Sequence, residues 1–140
     1  QASDLHTPGF NQRVVHEVVR DGFLDVHVPG IRARYKAQRD AMAQALQRHM
    51  PPGCVWRAPQ GGMFFWLRLP EGLDALALLP RAVEAGVAYV PGAPFYAHDR
   101  DTRTLRLSFV TLSVDDIADG VAALGRVFHE ALELQAQVAP

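Results

Sequence analysis

The sequence predicts an α/β domain in which a mixed or antiparallel sheet of about four strands is packed by helices. Three observations carry that expectation. Stretches with apolar residues at helical spacing lie at both ends, shorter β-branched and aromatic runs lie between them, and Gly or Pro clusters mark nearly every junction. At 140 residues, 49% of them hydrophobic, the chain can bury one real core, so a single domain over 1–140 is expected.

Thr7-Pro8 reads as a helix start, a hydroxyl cap before a proline at the first helical position. Phe10, Val14, Val15, Val18 and Val19 then recur at helical spacing as far as Gly22. A longer helix is expected to begin near Pro29-Gly30, with Ile31, Tyr35, Met42 and Leu46 as its apolar stripe. It should stop at Met50-Pro51-Pro52-Gly53, where prolines and a glycine cannot continue it.

Cys54–Ala58 and Met63–Leu69 read as two strands of a hairpin turned by Pro59-Gln60-Gly61-Gly62. Asp74 can cap a helix carrying Leu76, Leu79 and Val83, with a kink or a late start expected at Pro80. Val87–Val90 is a short strand ended by Pro91-Gly92-Ala93-Pro94, and residues 95–103 are polar enough for a loop. Thr104–Val110 alternates Leu105, Leu107 and Phe109 with Arg106 and Ser108, as a half-buried strand should. Ser113 with Asp116 is a capping-box signature, and Ile117, Val121, Leu124, Phe128 and Ala131 make the last stripe. The tail from Gln135 is expected to fray.

Composition argues against several functions. A formal net charge of -1 lends no support to nucleic-acid binding. No apolar run approaches a membrane span, and no signal peptide is visible. One cysteine, Cys54, permits neither an intrachain disulfide nor a cysteine zinc site, and it fits a reducing compartment such as the cytoplasm. The six histidines have no metal-ligand spacing, so no metal is expected. Neither a nucleophile elbow nor a P-loop is present.

Arg106 is the leading candidate for chemistry. A guanidinium on a strand projects from a rigid position, and its fork of donors suits bidentate recognition of a carboxylate. The plainer alternative, on local pattern alone, is an arginine on a wet strand face. Pro91-Gly92 and Phe95 shape a loop at a strand end, where ligands favour binding, although a simple turn explains them too. Gly61-Gly62 before Met63 could admit a ligand close to the backbone, or serve only the turn. The single lysine, Lys36, lies within i,i+4 reach of Asp40 and has the signature of an exposed ion pair, so no covalent catalyst is expected.

Five segments, in order and nearly spanning the chain, carry a family resemblance. They are Asp4-Leu5-His6-Thr7 with Asn11-Gln12, Tyr35-Lys36-Ala37-Gln38-Arg39-Asp40, Pro59-Gln60-Gly61-Gly62-Met63-Phe64-Phe65-Trp66, Val90-Pro91-Gly92-Ala93-Pro94-Phe95 and Thr104-Leu105-Arg106-Leu107-Ser108-Phe109. Together they resemble the C-terminal region of fold-type I, pyridoxal-phosphate-dependent class I/II aminotransferases, above all the 2-aminoadipate and kynurenine group.

The resemblance implies a helical connector over 1–50 and an α/β small domain over 51–140. It gives Arg106 the substrate α-carboxylate and sets Gly62, Met63, Pro91, Gly92 and Phe95 along the substrate pocket. It further implies a homodimer, with Asp4–Thr7 near the partner's site, and α-amino acid and 2-oxo acid substrates. No nucleic acid or membrane partner is implied for this segment.

The family's Schiff-base lysine and its other pyridoxal phosphate ligands have no counterpart here. The chain, which opens Gln1-Ala2-Ser3 rather than with Met, is therefore expected to be part of a longer enzyme and inactive by itself. In that enzyme the cofactor would serve as electron sink, and the arginine would orient the substrate. Two other readings stand beside this one: the effector domain of a winged-helix-fused, aminotransferase-like regulator, and a cofactor-free α/β binding module.

Overall fold

The protein is described by a computed structural model covering residues 7–138. Two helices, α1 (Gly9–Val19) and α2 (Phe23–His49), precede strands β1 (Val55–Trp56) and β2 (Phe64–Arg68). Helix α3 (Ala75–Glu84), strands β3 (Val90–Pro91) and β4 (Thr104–Ser108), and helix α4 (Val114–Val138) complete the chain. The four strands form one sheet in the order β1-β2-β4-β3, antiparallel throughout. The expected β1–β2 hairpin is present, pairing Val55 with Arg68 and Trp56 with Leu67.

Alternation along the strands builds the core. Phe65, Leu67, Leu105 and Leu107 point inward and join Leu78 and Ala82 of α3 with Ile117, Val121, Leu124 and Phe128 of α4. Met42, Ala45 and Leu46 bring the C-terminal half of α2 into the same cluster. Each fully buried Leu or Phe contributes about 1.5–3 kcal/mol of hydrophobic stabilisation. Close packing also restricts α4, where a Cβ on Gly125 would run into the backbone of His49.

The caps of the later helices follow their sequence signals. Asp74 accepts from the backbone N–H groups of Leu76 and Ala77 at 2.7 and 3.0 Å. Ser113 and Asp116 complete a capping box, with Oγ donating to Oδ2 at 2.6 Å and Asp116 N–H donating back to Oγ at 3.1 Å.

Four local expectations are corrected. Thr7 does not cap α1, since Pro8 occupies the cap position without a side-chain hydrogen bond. Helix α2 begins at Phe23, and Pro29 sits inside it. Gly22, at φ 78°, turns the chain just ahead, and Phe23 stacks on His27 one turn later, centroids 5.0 Å apart, so the helix has started before the proline removes one hydrogen bond. Pro80 likewise lies within α3, which starts at Ala75 without delay. Helix α4 runs on to Val138 rather than fraying from Gln135, whose side-chain amide donates to the carbonyl of Gly72.

The described residues divide into two compact units between Arg34 and Tyr35. The first holds α1, in which no residue is buried. The second holds the sheet, the core and Arg106. Asp4, Leu5 and His6 lie outside the described residues.

Candidate functional site

β4 is an inner strand, so Arg106 is backed by a partner on each side: Trp66 of β2 and Val90 of β3. Leu105 and Leu107 take the core face, which leaves the Arg106 side chain on the opposite one. That outer face also carries Phe64, Trp66 and Val90, none of them buried. Phe95 reaches it from a short 3-10 turn, Ala93–Phe95, that follows β3.

The guanidinium lies among the rings. Its Cζ is 4.1 Å from the centroid of Phe64 and 4.9 Å from that of Phe95. Trp66 meets Phe95 edge-on at 5.9 Å and lies tilted against Tyr96 at 6.2 Å. Nε of Arg106 is buried and, among the described residues, has no hydrogen-bond partner.

No described carboxylate forms an ion pair with Arg106, whereas the other partly buried arginines, Arg39, Arg81 and Arg103, each have one. A half-buried cation held against rings gains from an anion that is planar enough to take its donors in pairs. A carboxylate meets that description.

The glycines beside this face are glycines for different reasons. Gly62 adopts φ +79° with open space around it, so the turn conformation selects it. Gly92 has an ordinary φ of −81° but is buried, donates to the Thr104 carbonyl at 2.7 Å, and leaves no room for a Cβ against Thr104. Met63 is half-exposed, its carbonyl accepting from Phe109 N–H at 3.2 Å. Pro91 pairs with Leu105, which puts it in register with the core face rather than with Arg106.

Of the residues read from sequence, Arg106 and Phe95 are brought into contact. Phe64 and Trp66 were not singled out as candidates. Their signal was available: a strand whose alternate residues are all large and apolar has two faces to cover, not one. A shallow groove of about 840 Å³ adjoins Trp66, lined among others by Trp56, Arg57, Arg68, Tyr96 and Arg100.

Other reactive side chains are accounted for locally. Burial pushes the Cys54 thiol up to about 11, away from the reactive thiolate. Burial first, then the nearby Asp74 charge, raises the Tyr89 phenol, which donates to the Ala75 carbonyl at 2.7 Å. Lys36 pairs with Asp40 at 2.8 Å, and this contact together with Arg39 holds the Asp40 carboxyl below its usual range. Among the described residues no cluster of His, Cys, Asp and Glu could hold a metal, and no helix is long and apolar enough to cross a membrane.

No family model matches the chain. The 2-aminoadipate transaminase of Thermus thermophilus is 45% identical over 134 residues, covering 96% of this chain and 34% of the relative. The solved α-aminoadipate aminotransferase of that organism, complexed with N-(5'-phosphopyridoxyl)-L-leucine, superposes with a TM-score of 0.86 over 96% of this chain and 34% of that one, at 45% identity. The kynurenine aminotransferase of Pyrococcus horikoshii, in complex with PMP, gives 0.87 at 45% identity over 94% of this chain and 33% of its own.

The chain matches the C-terminal part of fold-type I aminotransferases. It spans about a third of the length of these relatives. A weaker similarity, 27% over 128 residues, is to an uncharacterized HTH-type transcriptional regulator of Bacillus subtilis. The aminotransferases of this group are pyridoxal phosphate enzymes. A Schiff base requires a lysine that is desolvated and free of a counter-ion, and Lys36, exposed and paired to Asp40, does not fit that part.

Proposed function

We propose that this aminotransferase-type chain is the substrate-carboxylate-binding part of a longer pyridoxal-phosphate-dependent enzyme that transfers an amino group between an α-amino acid and a 2-oxo acid. The observation that carries the reading is the Arg106 guanidinium, half-buried among aromatic rings with no carboxylate partner among the described residues and a buried, unpartnered Nε. Substrate carboxylate supplies the missing anion. Fixing one end of the substrate on a strand with neighbours on both sides orients the rest toward the reacting centre.

Gly62, Met63, Pro91, Gly92 and Phe95 border the pocket in this reading, and residues outside this chain hold the cofactor. Residues 1–50 act as the helical connector and 51–140 as the small domain. The enzyme works as a cytoplasmic homodimer. Support for the dimer comes from α1, whose Phe10, Val15 and Val18 remain 77%, 60% and 60% exposed.

The test is Arg106→Ala in the full-length protein. A loss of kcat/KM worth about 2–5 kcal/mol is expected for a desolvated charge partner. An unchanged kcat/KM removes Arg106 from the site. The regulator reading is less favoured, because the aminotransferases are far more similar to this chain than the regulator is.

A further inference from the structure

We infer that Phe64 and Phe95 are positioning residues: together they clamp the Arg106 guanidinium by its faces and leave its in-plane donors free for the substrate. The inference rests on the reading of Arg106 as the carboxylate binder and adds how that side chain is held.

An arginine has a long stem with several rotatable bonds, and a rigid strand fixes only its first atoms. The usual way to hold the head is an ion pair. Arg68 is held so by Asp101 at 2.7 Å, and Arg81 by Glu130 at 2.8 Å. A carboxylate partner would, however, occupy the donors of Arg106 and cancel its charge. Both are what an incoming carboxylate needs.

Aromatic rings hold the head differently. The negative face of a ring attracts the cation through its flat side, while N–H donors point outward in the plane. Arg106 meets the distance condition for such contacts, with Cζ over the Phe64 ring at 4.1 Å from its centroid and over the Phe95 ring at 4.9 Å. The two rings come from opposite flanks of β4, Phe64 on β2 and Phe95 from the turn after β3. Trp66, edge-on to Phe95 at 5.9 Å, supports that ring in turn. The rings also displace water from the guanidinium, and a drier site strengthens its attraction for an anion. Nothing in the apolar core needs them here, since Phe64 and Phe95 both keep exposed surface.

The experiment uses the full-length holoenzyme with L-2-aminoadipate as amino donor. Phe64→Leu and Phe95→Leu keep an apolar side chain and remove the ring. Each is expected to raise KM for the donor about 3- to 30-fold, the worth of one partly desolvated cation–π contact, with kcat changed less than about 3-fold. Phe95→Tyr retains the ring and should raise KM less than Phe95→Leu does.

In the unsubstituted protein labelled on arginine nitrogen, the Arg106 Nε–H resonance should be displaced by ring currents. That readout depends on no variant folding. A KM unmoved by both leucine variants, equal effects of Phe95→Tyr and Phe95→Leu, or an Nε–H resonance at its free-arginine position overturns the clamp. Arg106→Lys separates the two layers. If it raises KM while the leucine variants do not, the clamp alone fails; if it leaves KM unchanged, the carboxylate reading beneath it fails.

Discussion

Residues 64–67 and 105–107 alternate between two environments on the same strands. On the inner face Phe65, Leu67 and Leu105 are fully buried, whereas one residue away Phe64 and Trp66 keep 38% and 39% of their surface. Inner side chains interlock with one another and with α3 and α4. Outer side chains gather around a cation whose buried Nε has no acceptor among the described residues. Identical backbone geometry thus packs a dry core on one side and sets a cation among aromatic rings on the other. Folding free energy should be concentrated where the sheet is dry, and ligand affinity where a charge waits at its surface.

The largest effect that could break this contrast is expected at Phe65. Phe65→Ala leaves a cavity beneath the sheet and should destabilise by about 3–5 kcal/mol, read by denaturant unfolding. A loss below about 1 kcal/mol would mean that the inner face does not carry the fold.

Gly92→Ala comes next, because its methyl would collide with Thr104, including the backbone carbonyl carbon at 2.9 Å. A cost of about 1–3 kcal/mol is expected from overpacking, seen as a lower unfolding midpoint. Arg106→Ala should cost no more than about 1–2 kcal/mol of stability, since among the described residues its buried Nε has no acceptor to lose and only the ring contacts are given up. A stability loss comparable to that of Phe65→Ala would erase the distinction between the faces.

The smallest probe is chemical. Cys54 packs against the inner core just ahead of β1, and burial holds its thiol near 11 against 9.0 for the free group. A raised value disfavours the thiolate at pH 8.5. Alkylation of the folded protein should therefore be roughly a hundredfold slower than of the unfolded chain. Equal rates would place the thiol outside the dry region.

Much of this architecture was legible along the chain because its causes are local. Alternation assigned Leu105 and Leu107 to the core, Asp74 and Ser113 with Asp116 satisfied the backbone donors of their own first turns, and Gly62 took the positive φ that its turn requires. Helix starts were less legible. Pro29 and Pro80 look like barriers in a one-dimensional reading, but each sits inside a helix and removes only a single bond from its backbone ladder.

The sequence by itself determined which face of β4 is dry and that Arg106 stands on the other, since a strand's period of two leaves no choice. Only the tertiary structure decided what surrounds that side chain. Phe64 and Phe95 lie far from Arg106 along the chain, and strand register and the turn after β3 bring them within 4.1 and 4.9 Å. Contact between a ring and a cation depends on the path of the chain in space, and no local spacing encodes that path.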